Sequence, residues 1–195
     1  DNYFGLEVSH FLGGHGSYCF GEYVNWLKEK HPEVHEAMAN CVSDRTTTGK
    51  PDNYYSTVPN ELYYNEWIKD LTIKELDRTD ERPFFLWCSF PDPHFPFGPP
   101  KPYSEMYSKE DVPDPIAWDD PRDRMNEFYH TEYYEARGEY SVDGGPSPYT
   151  LEQIKETKAL AWGLVRSVDD SVGAVMEHLK KTGKLEDTVV VLLAD

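Results

Sequence analysis

Long apolar runs and closely spaced cysteines are both missing from this chain of 195 residues. No apolar stretch approaches the roughly 20 residues that a helix needs to cross a bilayer, so no membrane span is expected. The three cysteines include no CxxC pair, which excludes a zinc ribbon and a dense disulfide framework. A bridge between Cys19 and Cys41 stays open, whereas Cys88 is expected to be a small buried hydrophobe.

Positive charge is also scarce. The chain has 19 Lys and Arg against 36 Asp and Glu, which gives a net charge of −17. Because such a chain repels phosphates, nucleic acid is excluded as an expected partner. An anionic substrate would have to be bound by a local group of cations or by a metal ion, since the overall field opposes it.

Aromatic and apolar residues fill one short segment, residues 84–90, which predicts a strand buried on both faces. A stiff, proline-dense loop follows, with a single histidine, His94, between Pro93 and Phe95. Ligands of open parallel sheets bind just beyond the carboxyl ends of the strands. His94 is therefore a candidate functional imidazole. The alternative, a histidine that only satisfies a loop carbonyl, stays open on this pattern.

A second apolar segment, residues 188–195, predicts another buried strand, which ends on Asp195. Helical patterns between the two segments predict a parallel strand pair with a right-handed crossover, and hence an α/β arrangement. The carboxyl ends of both strands would then bring His94 and Asp195 to one edge of the sheet. An imidazole and a carboxylate at one edge suit a hard metal ion beside an anionic group.

The clearest helical signal begins at Thr150, which forms a capping box with Gln153, and ends at Gly183, a predicted C-cap. This helix is expected to run for about eight turns. Asp169 and Asp170 within it are expected on a solvated face or beside a cation. Shorter helices are predicted over residues 23–30 and 61–76, and a second short turn is predicted over residues 33–40.

Two loops carry further expectations. The run Gly13-Gly14-His15-Gly16 could bring the backbone close to a ligand, but it lacks the Gly-Lys-Ser/Thr ending of a phosphate loop, so a flexible surface loop is the favoured prediction. Residues 104–149 show no convincing periodicity, and an insertion of that length is typical of a functional or covering segment. Its aromatic residues could line a cleft or pack the insertion onto the core; they are Trp118, Tyr129, Tyr133 and Tyr134.

The order of these motifs resembles the sulfatase family of the alkaline phosphatase superfamily. Residues 83–86 read Pro-Phe-Phe-Leu, and residues 91–96 read Pro-Asp-Pro-His-Phe-Pro. The similar segments also include residues 2–5, 67–68, 168–173 and 187–195. The resemblance implies part of an alkaline-phosphatase-like α/β sandwich, with a mostly parallel central sheet flanked by helices. It also implies that residues 1–195 are an internal portion of one catalytic domain.

The implied activity is metal-dependent hydrolysis of sulfuric esters. In the family, a Cys/Ser-x-Pro-x-Arg motif supplies a formylglycine nucleophile, and one calcium ion (Ca2+) helps to stabilise the sulfate oxygens. His94 matches the histidine that binds the substrate sulfate, and Asp195 matches a calcium-ligand aspartate. Lys101 does not match the family's catalytic lysines. No nucleophile motif occurs in these residues, so this chain alone is expected to be inactive.

Several alternatives stay open. A phosphonate monoester or phosphodiester hydrolase of the same superfamily would share this scaffold, and a non-catalytic carbohydrate- or protein-binding module would share its surface. The sulfate ester could be a sulfated carbohydrate or an aryl sulfate. The resemblance favours a periplasmic or secreted location, with the signal region expected outside this chain. Bare sheet edges would favour self-association.

Overall fold

The computed structural model describes residues 4–39, 46, 48–50, 52–78, 82–114 and 150–194. In these ranges the α-helices are α1 (Glu22–Lys30), α2 (Pro32–Ala39), α3 (Tyr64–Arg78) and α4 (Leu151–Lys181). The three predicted helices are thus confirmed, and α2 occupies the segment in which a short turn was predicted. The helix α3 begins three residues later than predicted, because Asn60–Leu62 form a 3-10 turn ahead of it. No helix in this part of the chain is long and apolar enough to span a bilayer.

The two ends of α4 follow from its sequence. The Thr150 hydroxyl accepts a hydrogen bond from the Gln153 amide at 3.2 Å, and the Gln153 side chain accepts one from the Thr150 amide at 2.9 Å. At the other end Gly183 has φ 72, and the Lys184 amide donates to the Leu179 carbonyl at 2.9 Å. This is a Schellman ending, which confirms the predicted C-cap.

The Gly183 ending gives a stability prediction with an internal control. Gly183→Ala is expected to lower the free energy of unfolding by about 1 kcal/mol, because a positive φ is costly for any residue with a Cβ. Gly173→Ala, within α4, should instead raise it by up to about 1 kcal/mol through better helix propensity. A Cβ at either position meets no atom within 4 Å. Urea unfolding checks both, and effects of the same sign would contradict the assignment.

The core of the described residues lies where α1, α3 and α4 meet. Tyr23 and Leu27 of α1 and Leu164 of α4 are fully buried. Tyr64 of α3 packs edge-to-face against Tyr23, with ring centroids 6.0 Å apart. The remaining buried members of this cluster are Met38, Val58 and Tyr63. The apolar residues spaced along these helices therefore form one core. The candidate site lies at the polar edge of this core.

The described strands are short. β1 (Leu12–Gly13) and β2 (Phe20–Gly21) pair antiparallel, and an isolated parallel bridge joins Asn53 to Phe97. The ribbon of β1 and β2 brackets a turn, residues 14–19, that contains a 3-10 helix at Gly16–Tyr18.

The two predicted buried strands are not formed. The structure assigns no strand to residues 83–90 or 188–194, and Phe85 and Trp87 are each 77% exposed. Leu192 and Leu193 are 86% and 85% exposed. A buried strand needs neighbouring strands for its amides and carbonyls and an apolar layer on each face. The described residues supply neither, so the predictions of burial and of a parallel pair are wrong in this structure.

The predicted irregular insertion is described only in part. Its first residues contain two 3-10 turns, Tyr103–Glu105 and Lys109–Asp111. Residues 115–149, and with them the four aromatic residues predicted to line a cleft or pack on the core, lie outside the described residues. The extent of the insertion, and the placement of residues 1–195 within one catalytic domain, stay predictions.

Candidate functional site

The proline loop, residues 91–100, is fixed at both ends. At its start the His94 amide donates to the Pro91 carbonyl at 3.1 Å and closes a turn. At its far side the Phe97 amide donates to the Asp52 carbonyl at 2.7 Å, and the Tyr54 amide donates to the Phe97 carbonyl at 3.2 Å. The loop is therefore held against residues 52–54, in agreement with the stiffness expected from its prolines.

Residues 52–54 are in turn held on α4 by a buried carboxylate, Glu156. The Asn53 side-chain amide donates to Glu156 at 3.1 Å, and the hydroxyls of Thr46 and Thr48 donate to the same carboxylate. Burial opposes ionisation of Glu156, but the hydrogen bonds from Thr46, Thr48 and Asn53 outweigh it and lower its pKa. The base of the proline loop thus rests on a long helix.

A second buried carboxylate, Asp92, anchors the start of the loop. Its side chain accepts hydrogen bonds from the Tyr64 hydroxyl and, at 2.8 Å, from the Asn65 amide, both on α3. The Asn65 amide also donates to the Ser167 hydroxyl of α4 at 3.0 Å, and the Tyr63 hydroxyl donates to that of Tyr64 at 2.7 Å. Asp92 therefore ties the segment carrying His94 to two helices at once.

Burial decides the ionisation of Asp92. Desolvation raises its pKa to about 6, although hydrogen bonds from Tyr64, Asn65 and Tyr63 act in the opposite direction. Sequence reasoning missed this residue as part of the site. Nothing in the run Pro-Asp-Pro signals a buried carboxylate, since its donors come from distant helices.

His94 itself lies on the surface of the loop. Its Nδ1 is 2.6 Å from the Phe95 carbonyl oxygen. A carbonyl can only accept, so Nδ1 carries the hydrogen, and Nε2 is the atom left to face a ligand. The alternative, a histidine that satisfies a loop carbonyl, therefore holds for Nδ1. Nε2 remains available to bind a ligand.

The glycine-rich turn packs against this loop. The ring of His15 lies 3.7 Å from that of His94, centroid to centroid, at an interplanar angle of 37°. Gly16 is buried, with φ 58, and a Cβ there would meet Pro96 and the Tyr54 hydroxyl at 2.8 Å. The prediction of a flexible surface loop therefore misjudged this turn, because glycine serves here to let two segments approach closely.

The other residues singled out in the sequence are engaged elsewhere. Lys101 is exposed and pairs with Glu105 at 2.5 Å, which raises the lysine's pKa. Asp170 accepts from Arg166 at 2.9 Å and from the Tyr103 hydroxyl at 3.0 Å, and mainly the arginine lowers its pKa. Asp169 is exposed, in agreement with the solvated-face alternative.

The two described cysteine thiols, Cys19 and Cys88, also form hydrogen bonds within the fold. Cys19 is a free thiol that donates to the Gly16 carbonyl at 3.1 Å, and burial raises its pKa to about 12. Cys88 is half-buried and accepts from the Thr72 hydroxyl at 3.2 Å. Neither environment favours the thiolate that a nucleophilic cysteine requires.

The described residues do not by themselves fit a calcium ion. No group of three or more His, Cys, Asp or Glu residues in this part of the chain could hold a metal. The carboxylate nearest to His94 in sequence, Asp92, is buried and already accepts two hydrogen bonds. Asp195, the predicted ligand, lies outside the described residues, so its role stays a prediction.

The chain is similar to known proteins over most of its length. The sequence model of the sulfatase family matches residues 10–195. The chain is 27% identical over 175 residues to an arylsulfatase of Clostridium perfringens, covering 89% of this chain and 34% of that protein. It is 28% identical over 181 residues to the multifunctional alkaline phosphatase superfamily protein PehA of Trinickia caryophylli, covering 89% of this chain and 35% of that protein.

Solved structures show the same fold. The phosphonate monoester hydrolase of Agrobacterium radiobacter matches with a TM-score of 0.61 at 22% identity, over 85% of this chain and 34% of that one. The enzyme SpPMH from Silicibacter pomeroyi gives the same score and identity over 82% and 34%. The chain spans about a third of the length of these relatives and has their α/β fold. The extent of the family match shows that it belongs to the sulfatase family, within the alkaline phosphatase superfamily.

Proposed function

We propose that the protein carrying this chain hydrolyses sulfuric esters and that His94 binds the sulfate group of the substrate. The observation that carries the proposal is the His94 ring, which is exposed on a loop anchored to α3 and α4, with Nδ1 engaged and Nε2 left for a ligand. Membership in the sulfatase family and the similarity to arylsulfatases support the choice of ester.

The chemistry of His94 follows from its fixed tautomer. With Nδ1–H donating to the Phe95 carbonyl, the neutral ring offers only a lone pair at Nε2. The protonated ring offers an Nε2–H donor and a positive charge, both of which stabilise an oxyanion. His94 therefore binds the anion in its imidazolium form, and it supplies this charge within a chain that is strongly negative overall.

The nucleophile and the metal belong to the proposal through family resemblance. A formylglycine, formed from a Cys/Ser-x-Pro-x-Arg motif outside these residues, would attack sulfur. Asp195 would be one ligand of a divalent ion, taken to be calcium, that stabilises charge on the sulfate oxygens. Neither group is needed for the argument about His94, which rests on contacts made by this chain alone.

A phosphonate monoester hydrolase is the second candidate. Two solved structures of such enzymes share the fold of this chain at a TM-score of 0.61. An imidazolium donor would serve a phosphonate oxyanion as well as a sulfate, so the described residues do not separate the two esters. Whether a sulfate ester substrate is an aryl sulfate or a sulfated carbohydrate depends on groups beyond the anion.

Turnover by the full-length protein separates these candidates. Aryl esters with one common leaving group would be compared as the sulfate, the phosphonate monoester and the phosphodiester. The proposal expects the highest kcat/KM on the sulfate. A higher value on the phosphonate would favour the second candidate, and turnover of none of them would favour a non-catalytic binding module instead.

We also propose that this chain self-associates when it is produced alone. The exposed apolar residues of segments 84–87 and 189–193 form surfaces that proteins usually bury. Light scattering should show species larger than a monomer, and a substitution of Trp87 by lysine should reduce them. A chain that stays monomeric at micromolar concentration would contradict this. A periplasmic or secreted location likewise stays a proposal from the resemblance.

A further inference from the structure

The pair formed by His15 and His94 is the strongest feature that the proposed function does not use. Their ring centroids are 3.7 Å apart, closer than either ring is to Phe95, which lies 4.4 Å from His94 and 5.9 Å from His15. No family motif identified in the sequence includes His15. Gly16 makes the approach feasible, since any side chain there would meet Pro96 and Tyr54.

Two imidazoles at this distance cannot both be protonated without repelling each other. Burial lowers the pKa of His15, and the neighbouring His94 lowers it further. In the described part of the chain, neither histidine forms an ion pair with a carboxylate that would offset the repulsion. His15 is therefore expected to be neutral at pH 7 in the free protein.

In the described residues, no charged group around the pair forms an ion pair with either ring. The turn itself contributes the Cys19 thiol, whose pKa is raised to about 12, so it is uncharged at neutral pH. Residues 52–54 contribute the Tyr54 hydroxyl, which lies against Gly16. The proline loop contributes Asp92, a buried carboxylate whose hydrogen bonds go to Tyr64 and Asn65 and not to either histidine. A bound anion would be the group that removes the repulsion.

We propose that His15 is a second anion-binding residue of this site, which takes up a proton and donates a hydrogen bond to the anionic group that His94 binds. This inference rests on the proposed function, because it concerns the same site, and its ligand is a tetrahedral oxyanion such as the sulfate group of the ester. The proton passes from solvent to a ring nitrogen of His15, and no bond of the ester forms or breaks in this step. The negative charge of the ligand allows both rings to be protonated together.

The test is calorimetric titration of the full-length protein with inorganic sulfate, near pH 7, in two buffers of different ionisation enthalpy. Wild-type protein should take up protons as sulfate binds. His15→Phe keeps an aromatic ring against His94 but has no nitrogen, so it should bind sulfate about tenfold or more weakly and take up fewer protons. His15→Gln keeps a hydrogen-bond donor but cannot titrate. It should bind sulfate with the same reduced proton uptake as His15→Phe.

Control variants keep the outcomes distinct. His10→Phe alters a histidine that pairs with Glu22 at 2.9 Å, and it should leave sulfate binding unchanged. If His15→Phe and His15→Gln both keep wild-type affinity and proton uptake while His94→Gln loses them, His15 only stacks and the inference is overturned. If His94→Gln itself binds sulfate as wild type does, the proposed role of His94 fails. Circular dichroism identifies any variant that does not fold. If one His15 variant does not fold, the other His15 variant tests the inference.

Discussion

Replacing His94 by glutamine is expected to lower the kcat/KM of the full-length protein toward its sulfate ester by about 10²–10³-fold, the usual effect of losing one preorganised oxyanion donor. Glutamine keeps a polar amide but loses the positive charge. The side chain of His94 is exposed, and its only hydrogen bond within the described residues is to the adjacent Phe95 carbonyl, so the fold should be unaffected. Steady-state kinetics with an aryl sulfate measures the effect.

The matched control for His94 is Lys101→Gln. Lys101 is a cation close in sequence, but it is exposed and paired with Glu105 at 2.5 Å. Its replacement should change kcat/KM less than twofold, since an exposed ion pair contributes little. Equal losses in both variants would mean that only the local positive charge matters, which would contradict the specific role of His94.

The second large effect is on stability. Tyr64→Phe removes the hydroxyl that donates to the buried Asp92 carboxylate, and at about pH 7.5 it is expected to lower the free energy of unfolding by about 1.5–3 kcal/mol. The comparison variant, Tyr63→Phe, removes a hydroxyl that donates to the neutral Tyr64 hydroxyl at 2.7 Å and acts on Asp92 more weakly than Tyr64 does. It should cost about 0.5–1.5 kcal/mol. Urea unfolding of both variants measures the difference.

The pH dependence of this cost identifies its cause. Burial raises the pKa of Asp92 from 3.8 to about 6, so its contribution to stability is fully present below pH 3.8 and is lost as the pH rises through about 6. Tyr64→Phe removes a hydrogen bond that lowers this pKa, which makes ionisation still less favourable. The cost of the substitution should therefore be larger at about pH 7.5 than at about pH 4.5. A cost independent of pH would show that lost packing, and not the carboxylate, is responsible.

Local sequence signals predicted the helices well. The capping box at Thr150 and Gln153 and the left-handed Gly183 define α4, because both ends are built from residues within a few positions of each other. The predictions of buried strands were wrong for the opposite reason. A strand is satisfied by neighbours distant in sequence, and the described residues give segments 83–90 and 188–194 no partner.

The site was predictable only in part. The proline loop marked His94 because prolines and a lone histidine are visible in sequence. Asp92 was missed because its donor Asn65 lies 27 positions away in sequence, and Asn65 in turn bonds Ser167 across 102 positions, separations that no local pattern reports. His15 was noticed only as part of a glycine-rich loop, and its contact with His94 depends on Gly16 fitting between Pro96 and Tyr54. These features follow from packing among helices and loops.

A crystal structure of the full-length protein with bound inorganic sulfate would test the account most directly. The prediction is that Nε2 of His94 lies within hydrogen-bond distance of a sulfate oxygen, while Nδ1 keeps its contact with the Phe95 carbonyl. The buried Asp92 should still be bonded to Tyr64 and Asn65 beneath the loop. A sulfate bound by other residues, with His94 turned away from it, would contradict the account.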